Sequence, residues 1–361
     1  MNQLPEAATT SPTGPANRNS LTPGGGHRFA LEFLTHDGHR LGPVSVAPDF
    51  QAAREWAYFT GVRRGLLPPV TAPADGEVAP VFSEELGPPY CRAIRVAPIA
   101  PPGFGELTLT SDVPITYFQD LAEANAARWV ARGELSSGDG YRYHVCAYPV
   151  VQHEAGTRSQ AGFRVEALAD PIPLVSSSLD AFLERSEPEG VYDDTDAPVF
   201  IHRSVLEETC ARARQAGDLE TGGILVGRLH HDPERPEVFA EIVAQIPARH
   251  AEASGVSFGF TPETWAAAHA AIELRGKSEL QLAWWHYHPR FCGNCPEERQ
   301  RVCAFARPFF SADDVHLHRT CFPRAYQVAL LISDLGGSEP TPALFGWRSG
   351  SVTARGFHVL D

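Results

Sequence analysis

Gln281-Leu-Ala-Trp-Trp-His-Tyr-His-Pro289 is an apolar run that ends in two histidines one residue apart. Leu282, Ala283, Trp284 and Trp285 are continuous apolar residues, as expected of a strand covered on both faces. Successive side chains leave a strand on opposite faces, so His286 and His288 share one face and Tyr287 takes the other. Pro289 has no N–H to give and ends the ladder. Two imidazoles side by side at a strand end suit a borderline metal ion such as Zn²⁺. Two histidines satisfied by their neighbours are the plainer alternative.

Working outward, a helix is expected from about Pro262 to Leu274, with short strands near Val256–Phe260 and Val238–Gln245. Before them lie Glu220-Thr-Gly-Gly-Ile-Leu-Val-Gly227 and a helix from Ser204 to about Ala216, closed by Gly217. Residues 184–197 hold Glu184, Glu187, Glu189, Asp193, Asp194 and Asp196 among few apolar residues, the composition of an acidic linker. A domain over residues 198–361 is therefore expected to follow a separate α+β domain over residues 28–183. That first domain reads as a hairpin over Arg28–Val46 and a helix capped by Asp49. Strands near Ala93–Val96 and Glu106–Leu109 follow, then a helix from Ile115 to Ala131 and strands at Tyr141–Val150 and Phe163–Leu168. Its function is not legible. Residues 1–27, rich in Pro, Gly, Asn, Ser and Thr, read as a disordered tail.

A chain of 361 residues suits two domains, and its 43% hydrophobic content can build real cores. A formal net charge of −14 argues against nucleic acid as a partner, since phosphate binding needs clustered cations. No apolar run has the length of a membrane span and no signal-peptide pattern opens the chain, so a cytoplasmic protein away from the membrane is expected.

A catalytic zinc keeps three protein ligands and one open position. The best third ligand lies in Ser311-Ala-Asp-Asp314, where a serine opens a helix and an acid follows three residues on. The same spacing is a capping box, and spacing does not separate the two readings. A hydrolytic site also needs a carboxylate outside the ligand set to move the water's proton, and Glu220 fills that part.

Taken in order, Glu220, His286-Tyr-His288-Pro289 and Ser311-Ala-Asp-Asp314 resemble the JAMM motif of the JAB/MPN zinc metalloproteases, a Glu, then His-x-His-Pro, then Ser-x-x-Asp. The resemblance covers the C-terminal half only. It implies a deaminase-like α/β fold there, a mixed sheet flanked by helices. It also implies Zn²⁺ on His286, His288 and Asp314, Glu220 as general base and Ser311 beside the oxyanion. The implied activity is that of an isopeptidase or peptidase acting on the tail of a ubiquitin-like protein or its conjugate, with conjugation-pathway enzymes as further partners. The segment from Ser254 to Lys277 would let a substrate tail add as a strand. A non-catalytic scaffold of the same family is the alternative.

The chain departs from the family pattern between His288 and Ser311, where Pro289–Phe310 makes a longer connection. That connection carries Cys292, Cys295 and Cys303. With Cys321, His316 or His318 they would form a second, structural zinc site; reduced cysteines in a packed loop are the other reading. A nucleobase-deaminase signature fails, because it needs His-x-Glu before Pro-Cys-x-x-Cys.

Overall fold

The Leu280–His288 stretch is a strand in the interior of a ten-stranded mixed sheet. The computed structural model describes residues 26–102, 104–105, 107–136, 138, 140–150, 170–248, 252–253, 258–289, 307–335 and 339–361. The chain opens with β1 (His27–Thr35), β2 (Arg40–Val46), α1 (Gln51–Arg63), β3 (Gly76–Phe82), β4 (Cys91–Pro98) and β5 (Ser111–Pro114). A 3₁₀ turn at Ile115–Phe118 leads into α2 (Gln119–Ala131), followed by β6 (Tyr141–Pro149). Next come β7 (Leu174–Ser176), α3 (Leu179–Leu183), β8 (Ser186–Glu189), β9 (Val199–His202) and α4 (Arg203–Ala216). A pair of long strands, β10 (Gly222–Asp232) and β11 (Glu237–Pro247), precedes β12 (Glu252–Ala253), β13 (Phe258–Gly259), α5 (Pro262–Arg275) and β14 (Leu280–His288). The chain closes with α6 (Ala312–Cys321), β15 (Val328–Ser333), β16 (Thr341–Arg348), β17 (Ser351–Arg355) and β18 (Phe357–Leu360).

The architecture is mixed α/β. Strand order in the large sheet is β17-β16-β15-β14-β10-β11-β9-β18-β8, with β7 paired in parallel to β10. β14 runs antiparallel to β10 and parallel to β15. A parallel neighbour requires a crossover, and α6 lies in it. Both faces are covered, which is why β14 is apolar from Leu282 to Trp285. Trp284 packs with Ile224, Val226, Ala329, Leu331, Phe322 and Phe345 on one side. Trp285 and Tyr287 pack on the other with Val205, Leu206 and Ala213 of α4.

The N-terminal half has a core of its own, built on Phe29, Leu31, Phe33, Ile94, Val96, Phe118 and Val145. The two cores meet at α1. Ala53 and Ala57 of α1 belong to that core, whereas Trp56, Tyr58, Phe59 and Val62 belong to the core of the large sheet. A helix buried on both sides belongs to both units. The stretch expected as an acidic linker, residues 184–197, is built in as well. Within it β8 pairs with β18, and the Asp196 carboxylate, 8% exposed, is held by the Arg348 guanidinium. Asp196 alone of its acidic residues is buried; Glu184, Glu187, Glu189, Asp193 and Asp194 stay exposed.

Local expectations differ from the structure in smaller ways. The hairpin over 28–46 forms as β1 and β2, and β4, β6, β11, α4 and α5 lie where strands and helices are expected. Leu107–Leu109 is not a strand. Asp49 sits before the helix rather than at its N-cap, which is Phe50, although its carboxylate accepts from Gln51 N–H at 2.9 Å. The strand expected at Phe163–Leu168, and nearly all of the 1–27 tail, lie outside the described residues.

Charged groups lock the two halves together. The Arg63 guanidinium donates to both carboxylate oxygens of Glu237 at 2.7 Å. Glu55, 7% exposed, accepts from Arg324 at 2.8 Å and from Ala74 N–H at 2.8 Å. Arg324 also donates to the carbonyls of Thr71 and Ala72. Removing one partner of a buried pair strands the other charge, so Glu55→Ala is expected to cost about 3–5 kcal/mol. Urea unfolding of the full chain checks this; a loss below about 1 kcal/mol, the size of an exposed pair, would show that Arg324 finds water instead.

Candidate metal centre

β14 and α6 bring the site together. Interior alternation puts Trp284, His286 and His288 on the face that α6 covers, and all three are buried. The backbone of β14 is held on both edges: Tyr287 N–H donates to Thr221 C=O at 2.8 Å and Asp334 N–H donates to His288 C=O at 3.1 Å.

α6 starts with the expected capping box. Ser311 is the N-cap in extended backbone, its Oγ accepts from Asp314 N–H at 3.1 Å, and Ser311 N–H donates to Asp314 Oδ2 at 2.7 Å. The two readings of Ser-x-x-Asp are therefore compatible, because the capping carboxylate also faces the histidines. Asp314 Oδ1 lies 3.2 Å from His286 Nε2, and Oδ2 lies 3.5 Å from His288 Nε2. Its neighbour Asp313 is exposed. Burial alone would raise the Asp314 carboxyl, but the bonds from His286, His288 and Ser311 outweigh it and hold the group well below the usual carboxylate range. A helix N-terminus further favours the anion. Burial pushes His286 below the usual imidazole value, which keeps it neutral, the form that binds metal.

His286 Nε2 and His288 Nε2 face each other at 3.0 Å. Among the described residues, His286, His288 and Asp314 form the one cluster whose donor atoms all lie within 4.8 Å of one another. Zn²⁺ bonds of about 2.0–2.1 Å in a tetrahedron place neighbouring donors about 3.3 Å apart. The separations, 3.0 Å between the two nitrogens and 3.2 and 3.5 Å from them to the two Asp314 oxygens in turn, are close to such edges. Two imidazole nitrogens pointed at each other also call for a proton or a cation between them. The residues fit zinc.

Glu220 completes the group. Gly222 pairs with His286, so two residues earlier on the antiparallel neighbour Glu220 falls opposite His288. It is 5% exposed, and burial pushes its carboxyl up to about 7, with Asp314 adding to the rise and His288 opposing it. Gly223 serves packing: a Cβ there would sit 2.4 Å from Ile246 C=O and 2.7 Å from Trp285 Nε1. Phe310 stacks on Phe345 at 4.6 Å, and Phe309 lies 5.1 Å from His288, so both pack at the site.

The expected second zinc site divides. Cys292, Cys295 and Cys303 lie outside the described residues. Cys321 is half-buried with its thiol raised by burial, and the His318 ring is engaged by Trp284. That contact between Trp284 and His318 is the feature sequence reasoning missed. Its only signal was the four-residue spacing from Asp314 to His318, which puts both on one helix face. In the segment expected to accept a substrate strand, Pro262–Arg275 is helical, leaving β13, paired with β12 just before the segment, as its only strand among the described residues.

No family model matches the chain, and no curated protein does. Among solved structures, protein DSY2949 of Desulfitobacterium hafniense is 20% identical over 44% of this chain and 89% of its own, with a TM-score of 0.27. That similarity is too low to carry an argument about fold or function. No described helix is long and apolar enough to cross a membrane.

Proposed function

We propose that this chain is a zinc-dependent isopeptidase or peptidase of JAB/MPN type that hydrolyses an amide bond at the tail of a ubiquitin-like protein. One observation carries the reading: residues far apart in sequence, in the order of the JAMM motif, meet with three metal-donor atoms within 4.8 Å of one another. His286, His288 and Asp314 would hold the ion. Zinc bound there supplies Lewis acidity toward a water and the substrate carbonyl. Glu220 accepts the water's proton on a carboxylate oxygen and passes it to the leaving amine nitrogen. Ser311 already accepts Asp314 N–H at its Oγ, so its own proton can be donated to the carbonyl oxygen as negative charge builds there. The class of substrate rests on the motif's resemblance alone.

Metal analysis and cleavage of a fluorogenic ubiquitin-like fusion test the reading together. The purified chain is expected to hold one zinc at this centre, a chelator to stop cleavage, and added zinc to restore it. His286→Ala should lose that zinc and all turnover above background. A chain that binds no zinc, or that cleaves equally well as His286→Ala, ends this reading and leaves the non-catalytic scaffold.

A further inference from the structure

A ligand imidazole is usually oriented by a hydrogen bond from its second nitrogen to a carboxylate or carbonyl. His286 departs from this. Its Nδ1 is buried and has no hydrogen-bond partner among the described residues. Something else must set the plane of the ring. The Trp284 indole lies flat against it, with centroids 4.6 Å apart and planes 15° apart. Phe310 closes in obliquely, 5.8 Å away at 57°.

The indole is pinned in turn. Trp284 Nε1–H donates to His318 Nδ1 at 3.0 Å, and both residues are fully buried. His318 stands one turn beyond Asp314 on α6. Its ring stacks on Phe322 at 5.9 Å and 11° and leans on Trp347 at 5.3 Å. Trp347 Nε1–H is itself tied to Phe322 C=O at 2.9 Å. A ring that accepts at Nδ1 carries its proton on Nε2, and that N–H is buried with no partner among the described residues. Burial pushes His318 down to about 3, so it stays neutral. An unpaired buried N–H costs stability, and an apolar ring would fill the same space without that cost. A histidine is therefore explained by what its other nitrogen does.

We infer that Trp284 and His318 are positioning residues for the metal centre: their buried hydrogen bond joins the strand that carries His286 to the helix that carries Asp314, and holds the His286 ring by stacking. The inference rests on the metal reading above.

The test uses the full chain, zinc affinity by competition with a chromophoric chelator, and the d–d absorption of the Co²⁺-loaded protein. Trp284→Leu removes stack and hydrogen bond and is expected to weaken zinc binding about 10–100-fold. Trp284→Phe and His318→Phe each remove the hydrogen bond but keep a ring, and about 3–10-fold is expected. Because both delete the same bond, the double variant should stay within about twofold of the weaker single one. The Co²⁺ band should change shape or position in all of them. A purely packing role would lower unfolding temperature yet leave zinc affinity and the Co²⁺ band as in the parent, and that result overturns the inference while sparing the metal reading. If Trp284→Leu does not fold, Trp284→Phe and His318→Phe decide. A parent chain that binds neither Zn²⁺ nor Co²⁺ sinks both.

Discussion

Glu220→Gln is expected to keep its zinc and to lose about 10²–10⁴-fold in turnover, the range of a removed general base. Glutamine has nearly the same shape, so the substitution changes proton chemistry and little else. The site tolerates a neutral group: Glu220 is 5% exposed and burial already pushes its carboxyl up to about 7. Removing the charge should leave the folding stability of the metal-free chain unchanged or slightly higher, because the ionised carboxylate is the form that burial disfavours. His286, His288 and Asp314 keep their mutual contacts, so the donor set survives. Zinc content, a thermal melt and single-turnover cleavage of a ubiquitin-like fusion measure the three effects on one preparation. Intact zinc with intact turnover would mean that another group moves the proton, and Glu220 would be a packing residue.

A chain beginning at residue 174 is expected not to fold, even though it contains every candidate site residue. It would lack Trp56, Tyr58, Phe59 and Val62, which α1 inserts into the core of the large sheet. Burying each such side chain is worth about 1.5–3 kcal/mol, together about 6–12 kcal/mol, the same size as the whole stability of an ordinary domain, about 5–15 kcal/mol. The cut also strips charge partners. Glu237 loses Arg63, Arg324 loses Glu55, and Arg319 loses the Asp120 carboxylate that meets it at 2.6 Å. The last two anchor α6 and the segment after it, so damage would reach the helix that carries Asp314. Circular dichroism and urea unfolding of the truncated chain give the answer. Cooperative unfolding within about 2 kcal/mol of the full chain, no more than an ordinary point substitution costs, would show the N-terminal half to be an accessory after all.

Arg319 and Arg324 also mark where reading by composition stops. A run of Glu and Asp over residues 184–197 has the look of a solvated connector, and nothing local shows that Asp196 is buried against Arg348 or that β8 is an outer strand of the sheet. Both partners come from the last residues of the chain. In the same way α1 carries apolar residues all round, which a local pattern cannot distinguish from a core helix of one small domain.

The alternation of a strand decided by itself that His286 and His288 share a face, since a period of two has no other outcome. Ser-x-x-Asp spacing offered Ser311 as a cap for α6 without excluding a metal role for Asp314, and a continuous apolar run pointed to β14 being covered on both sides. What no spacing could decide is distance between segments. The pairing of Gly222 with His286 sets Glu220 opposite His288, and the packing of α6 on β14 aims Asp314, not Asp313, at the two imidazoles. The Trp284–His318 bond was settled at the same level, because it needs two elements to meet at 3.0 Å in a fully buried place. Short-range periodicity is written in the order of side chains; convergence depends on how the sheet and its helices pack, and only the folded chain supplies that.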